Sequence, residues 1–191
     1  MTTKIFSVTG REILDSRGNP TVEATVILEN GYRGTASVAA GESRGSHEAV
    51  ELRDNNKDRY MGKGVLKAVS HVNTDIHAKL KGVDAYDQNA VDRTMIELDG
   101  TPNKANLGAN SILGVSTAAC IAAAKSQRVP VYKYINSLFT KLVSTPLERI
   151  PTPTFNVING GLHGSGNLNF QEFHIVPASN KSYSEALEMG V

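Results

Sequence analysis

The chain has 191 residues, 20 Lys+Arg against 19 Asp+Glu, 40% apolar residues, 17 glycines, one cysteine and no tryptophan. A net charge of +1 supplies neither the basic field that nucleic acid needs nor an acidic one for cationic partners, so a function must sit in a local site. The lone Cys120 can make neither an internal disulfide nor a cysteine metal cluster, which suits a reducing, cytoplasmic setting. This length accommodates one large domain, or one domain and part of another. The N-terminal stretch lacks the apolar core and cleavage site of a secretory signal, and the most apolar run, Ile112 to Ala124, is interrupted and too short to span a bilayer.

The first forty residues read as strands. Ile5 to Thr9 is one; from Val22 to Leu28, Val22, Ala24, Val26 and Leu28 alternate with polar residues and predict a half-buried second. Asn30-Gly31 tolerates positive φ and predicts a tight hairpin into a third strand, Tyr32 to Val38. Asp15 to Pro20 concentrates turn formers, and Pro20 is compatible with a ladder only at a strand start.

After residue 60 the period becomes helical. Val65, Val69, Val72, Ile76 and Leu80 mark one face, with Gly82 as the stop. A second helix is predicted from after Asp87 to Leu98, burying Val91, Met95 and Leu98; a third covers Ala109 to Ser126, and a short fourth Tyr132 to Phe139. In the third, Gly114, Ala118, Ala119, Ala122 and Ala123 are small enough to admit a helix or sheet closely, the mark of a packing helix rather than of catalysis. Three antiparallel strands followed by a helical bundle make an α+β domain over residues 1–140.

Pro146, Pro151 and Pro153 punctuate a linker over residues 141–153. Beyond it come a strand at Thr154 to Ile158, a glycine-rich loop at Asn159 to Asn167, a strand at Phe170 to Val176 and a helix starting near Ser182. Two strands and half a helix cannot close a domain, so apolar faces and strand edges in residues 154–191 are expected to be open and less protected than residues 1–140.

Two glycine-bearing loops are candidates for chemistry. Ala39-Ala-Gly-Glu-Ser-Arg-Gly45 follows a strand and could bring backbone N–H groups to an anion, although such turns commonly only redirect the chain. Asn159-Gly-Gly-Leu-His163-Gly-Ser-Gly-Asn167 leads into Gln171-Glu172, where a mobile histidine could meet a ligand beside a carboxylate able to orient a hydroxyl or share a proton. On spacing alone a structural loop is the plainer reading of this second segment as well.

Longer motifs then accumulate in order: Glu12-Ile-Leu-Asp-Ser-Arg-Gly-Asn-Pro-Thr-Val-Glu23, His47-Glu-Ala-Val-Glu-Leu-Arg-Asp54, Gly62-Lys-Gly-Val65, Leu98-Asp-Gly-Thr101, Asn103-Lys104, Leu107-Gly-Ala-Asn110, Asn159-Gly-Gly161 with His163, and Gln171-Glu-Phe173. Together they resemble the enolase family over essentially the whole chain, in its amino-terminal part and in a style closest to bacterial enolases. The resemblance implies the first elements of an incomplete enolase-type α/β barrel in residues 154–191. It also implies a phosphopyruvate hydratase, a lyase of glycolysis that interconverts 2-phosphoglycerate and phosphoenolpyruvate with Mg²⁺.

Carried over by position, His163 resembles the loop histidine that closes over the substrate, Glu172 the carboxylate near the departing hydroxyl, and Gln171 the glutamine beside it. The family's metal carboxylates, proton-abstracting lysine and principal acid glutamate lie beyond Val191, so the resemblance implies no hydratase activity for these residues alone. It leaves a second reading open, a non-catalytic enolase-like binding or regulatory protein. In the first loop, Ala40 stands where the family has a serine that helps hold the second metal; its carbonyl survives, while Glu42 and Arg44 add charges that could pair. His174 replaces a residue that is often apolar and reads as a satisfied core histidine. His71 and His77 lie off their helix's apolar stripe and read as solvated. Arg11 and Glu23 match positions near the family's subunit contact, which implies a homodimer or higher oligomer, though Glu23 is equally compatible with a solvated carboxylate.

Overall fold

The alternation in the first forty residues becomes a three-stranded antiparallel sheet. In the computed structural model, which describes residues 2–41, 45–140, 147 and 150–191, the order is β1 (Ile5–Leu14), β2 (Pro20–Leu28), β3 (Arg33–Ser37). Val22, Ala24, Val26 and Leu28 are buried, as their period of two demands, and Pro20 opens its strand. The hairpin after β2 closes through the Gly31 N–H to the Leu28 carbonyl (2.9 Å), and only Gly31 takes positive φ (85°), so the turn is a three-residue loop ending in a left-handed glycine. β1 extends beyond Thr9 because Gly10 to Leu14 pair with Ala24 to Pro20, a continuation set by cross-strand hydrogen bonding that hydropathy does not reveal.

The chain divides into two compact units, Met1–Thr145 and Pro146–Val191. In the first, helical turns Leu66–His71 (α1), Val72–Ile76 and His77–Leu80 (α2) run on from one another, the middle turn being π-helical. Ala68, Val72, Ile76 and Leu80 are buried at intervals of four, and Val69 is only half-buried. A 3.6-residue repeat would carry a four-residue spacing progressively around the helix; the wider π turn winds less per residue and brings the stripe back to the core. The same stretch covers the open edge of β1. The Asn73 carboxamide accepts from the Gly10 N–H (2.9 Å) and donates to its carbonyl (3.0 Å), and the His77 Nδ1 lies 3.1 Å from both the N and the O of Val8. His77 is therefore tied to the sheet rather than solvated, and His71 is paired with Asp75 at 2.7 Å. The correction at His77 has a physical cause, since a polar side chain off the apolar stripe meets the backbone of a strand edge, whereas the His71–Asp75 pair is exposed and leaves His71 in contact with water.

Helix α3 (Gln88–Asp99) starts where the Asp87 side chain accepts from the Ala90 N–H (3.0 Å) and buries Val91 and Met95. Leu98 is only half-buried; Asp99 takes the interior position. The Asp99 carboxylate accepts from the Leu107 (2.7 Å), Asn106 (3.0 Å) and Thr101 (3.0 Å) amides and from the Thr101 hydroxyl. Burial pushes its pKa up, but these hydrogen bonds outweigh burial and hold the carboxyl below the usual aspartate range. Other sequence motifs are likewise structural. Arg59 grips both oxygens of Glu12, which also accepts from the Val65 N–H (2.9 Å), and holds the Glu12 carboxyl below the usual range against its burial. Asp54 accepts from the first amides of α1, those of Leu66 (3.0 Å) and Lys67 (2.8 Å).

Helix α4 (Ala109–Ser126) lies on the inner face of the sheet, with Gly114, Ala118, Ala119, Ala122 and Ala123 all buried. The approach is closest at Gly34 of β3, where an added Cβ would fall 2.0 Å from the Ala118 carbonyl oxygen and 2.5 Å from the Ala122 nitrogen. Helix α5 (Val131–Thr140) closes the bundle through Tyr134, whose hydroxyl donates to the Ala85 carbonyl (3.2 Å) and whose pKa burial raises to about 12.

The second unit contains β4 (Phe155–Asn159), a 3₁₀ turn at Gly161–His163, β5 (Glu172–Ile175) and α6 (Tyr183–Met189). β4 and β5 pair antiparallel, and β5 is exposed throughout. Ser182 and Glu185 cap α6 reciprocally. The chain is thus a mixed α+β protein whose amino-terminal part is a three-stranded antiparallel sheet with helices.

Gly34→Ala is expected to destabilise the first unit by about 3 kcal/mol, since backbone rather than a flexible side chain must give way; urea unfolding followed by circular dichroism measures it. Asp99→Asn is expected to cost about 2 kcal/mol at pH 7 through the lost charge-assisted bonds. Because the folded carboxyl titrates below its ordinary value of 3.8, that stabilisation is complete above this pH and disappears as pH falls through the lower folded value. Unfolding curves of both proteins should therefore converge in acid.

Candidate functional site

The three site residues expected from the sequence meet at one end of the β4–β5 hairpin. Antiparallel pairing sets Asn159 opposite Glu172, and Gly160 donates its N–H to the Gln171 carbonyl (2.8 Å), so the chain leaving β4 is clamped to the chain entering β5. Gly161 then donates to the Leu168 carbonyl (2.9 Å) and His163 to that of Gly160 (3.1 Å), which folds the loop back and carries the imidazole over Gln171 and Glu172. Gln171 Nε2 donates to His163 Nδ1 at 3.2 Å, and Glu172 Oε1 lies 3.6 Å from the same nitrogen.

This geometry gives the imidazole two arrangements. A neutral ring with an unprotonated Nδ1 accepts from Gln171; an imidazolium, with protons on both nitrogens, faces the Glu172 carboxylate. The other Glu172 oxygen lies 3.1 Å from His174 Nε2. His174 is therefore an exposed partner of the candidate carboxylate and not a core histidine, because this face of the exposed β5 is not covered. Side-chain exposures of 30% for His163, 38% for Glu172 and 39% for His174 leave all three in contact with water, so each pairing is individually weak. The group can hydrogen-bond an anionic or hydroxylated ligand, and it can pass a proton between imidazole and carboxylate.

The first loop belongs to the other unit. Val38 is fixed at its start, accepting from the Thr21 hydroxyl (2.6 Å) and donating its N–H to Val22 (2.9 Å). The Ala40 carbonyl accepts from Arg17 Nη2 at 3.3 Å, and Arg17 is presented by a turn in which Asp15 Oδ1 accepts from the Arg17 (2.9 Å) and Asn19 (2.8 Å) amides. Glu42, Ser43 and Arg44 lie outside the described residues, and so do the proposed pairing of Glu42 with Arg44 and the linker proline Pro146. Arg53 and Lys63, which sequence reasoning passed over, border the same region. The only signal was their charge, inside motifs otherwise explained by folding. Arg11 and Glu23 face each other across β1 and β2 and pair at 2.7 Å, with Ser37 donating to the second Glu23 oxygen (3.1 Å).

Among the described residues, no group of three or more His, Cys, Asp or Glu side chains is placed to hold a metal ion. None of the described helices is long and apolar enough to cross a membrane.

Set beside known families, residues 5–135 match the family described as "Enolase, N-terminal domain", and residues 148–191 match "Enolase, C-terminal TIM barrel domain". The first match spans the sheet and the helices into the first half of α5, and the second spans the hairpin that carries His163, Gln171 and Glu172. With well over half of the sequence covered by the amino-terminal family and the candidate site inside the carboxy-terminal one, the chain belongs to the enolase family.

Proposed function

We propose that this chain serves the phosphopyruvate hydratase reaction, interconverting 2-phosphoglycerate and phosphoenolpyruvate in glycolysis, in a cytoplasmic homodimer of bacterial style. Residues 1–140 form the amino-terminal domain of that enzyme, 141–153 its linker, and 154–191 the start of its barrel. The reading is carried by one observation, the convergence of His163, Gln171 and Glu172 on a clamped loop.

In this reading His163 contacts the anionic substrate, gaining a charge-assisted bond when its ring is protonated. Gln171 selects the ring tautomer by donating to Nδ1, and Glu172 accepts from or protonates the hydroxyl that leaves. Mg²⁺, when bound by an enolase, offsets the negative charge that builds on the substrate carboxylate. The described residues of this chain do not fit that ion, since no group of three or more His, Cys, Asp or Glu side chains among them is placed to hold it. A second reading, a non-catalytic enolase-like binding or regulatory protein, draws support from the first loop. There the Ala40 carbonyl, the oxygen left at the serine-to-alanine position, is already engaged by Arg17.

Two measurements on the 191-residue chain test the proposal. With 2-phosphoglycerate and Mg²⁺, the absorbance of phosphoenolpyruvate should not rise with sustained turnover. In NMR titrations, 2-phosphoglycerate should shift the His163 ring and Glu172 amide signals, and His163→Ala should abolish the Glu172 response. Turnover by this polypeptide alone would contradict the metal argument. Absence of any shift at His163 and Glu172 would overturn the substrate roles and favour the second reading.

A further inference from the structure

Glu172 is held from two sides, and one of its holders, His174, has no part in the proposed reaction. The two residues are two positions apart on β5 and so share a face of the hairpin, opposite Asn159 and Asn156. The register shift between Asn156 and Ile158 brings both asparagines to that face, where Asn156 Nδ2 donates to Asn159 Oδ1 at 2.6 Å. The carboxylate is met from its own strand instead. His174 Nε2 lies 3.1 Å from Oε2, while Oε1 lies 3.6 Å from His163 Nδ1 on the loop.

The two imidazoles are not equivalent. An ionised carboxylate only accepts, so the proton of the shorter contact sits on His174 Nε2, and it does so both in the neutral Nε2–H ring and in the imidazolium. His163 Nδ1 also faces the Gln171 carboxamide, at 3.2 Å, and donates to Glu172 only when it carries a proton. His174 therefore holds Glu172 in either of its own charge states, and His163 in one. We propose that His174 is a positioning residue for the candidate site: it ties Glu172 Oε2 to β5 and leaves Oε1 turned toward the space beside His163, where the hydroxyl of the ligand is met. The choice of ligand rests on the hydratase reading; the contact does not. Both side chains are more than a third exposed, so the bond adds little to stability. Its effect is to order a side chain of several rotamers before the ligand arrives.

NMR on the 191-residue chain tests the contact and the role separately. Without ligand, three-bond couplings of Glu172 should report one dominant side-chain rotamer. They should average in His174→Leu and return in His174→Gln, whose carboxamide N–H can replace that of the imidazole. In titrations, His174→Leu should weaken 2-phosphoglycerate binding about threefold, the cost of ordering one side chain on binding, and His174→Gln should bind like the unaltered chain. 2-Phospholactate keeps the phosphate and carboxylate but lacks the hydroxyl, so its affinity should be the same in all three proteins. Glu172 couplings unchanged by His174→Leu, or equal losses for the two ligands, would overturn the proposal. A chain that binds neither ligand, while its Glu172 rotamer still depends on His174, would overturn the hydratase reading alone.

Discussion

Gly34 has no side chain, and the backbone of α4 occupies the space that one would fill. That contact sets the distance between the helix and the sheet, and the rest of the first unit follows from it. At such a separation the facing residues of α4 must be small, and they are glycine and alanine at five buried positions. Each buries little apolar area, so cohesion comes from many close backbone and methyl contacts rather than from a few large side chains. The larger core residues, Met95, Ile76, Leu80 and Tyr134, are fully buried in the same core cluster. Because β3 is fixed against α4, the chain leaving it at Val38, itself hydrogen-bonded to Thr21 and Val22, is fixed too, and the first loop starts from that point.

Much of this was legible in the sequence, for physical reasons that also mark the limits. The bounds of α4 were readable because a long run rich in alanine and other small or apolar residues, free of proline, favours helix. The alternation in β2 was readable because one face is buried and the other is not. Polar satisfaction across long sequence distances was not. The grip of Arg59 on Glu12 spans 47 positions and the bonds of Asn73 and His77 to β1 more than 60, and neither has a local periodicity. Val69 yielded its core position to Ala68 because a π turn altered the winding, and no single residue in Val72 to Ile76 announces such a turn.

The candidate site divides in the same way. His163, Gln171 and Glu172 were named from their motif, and the hairpin register brings them together. His174 was misplaced because strand alternation reveals which residues share a face but not whether anything covers that face. Arg17, Arg53 and Lys63 were overlooked as a group, because their neighbourhood exists only after the turn at Asp15 and the segment around Lys63 have folded against one another.

The two units therefore differ in what holds them. The first is organised around a buried seam; the second presents Phe170 (72% exposed) and Val176 (62% exposed) beside a hairpin whose second strand is open throughout, and it carries the candidate site. Residue-resolved hydrogen exchange on the 191-residue chain tests that contrast directly. The expected result is that amides of β2 and of α4 between Val115 and Ala123 exchange only through global unfolding, while those of β4 and β5 exchange orders of magnitude faster. Equal protection in the two units, or fast exchange in α4 beside a protected β2, would contradict the primacy of the seam.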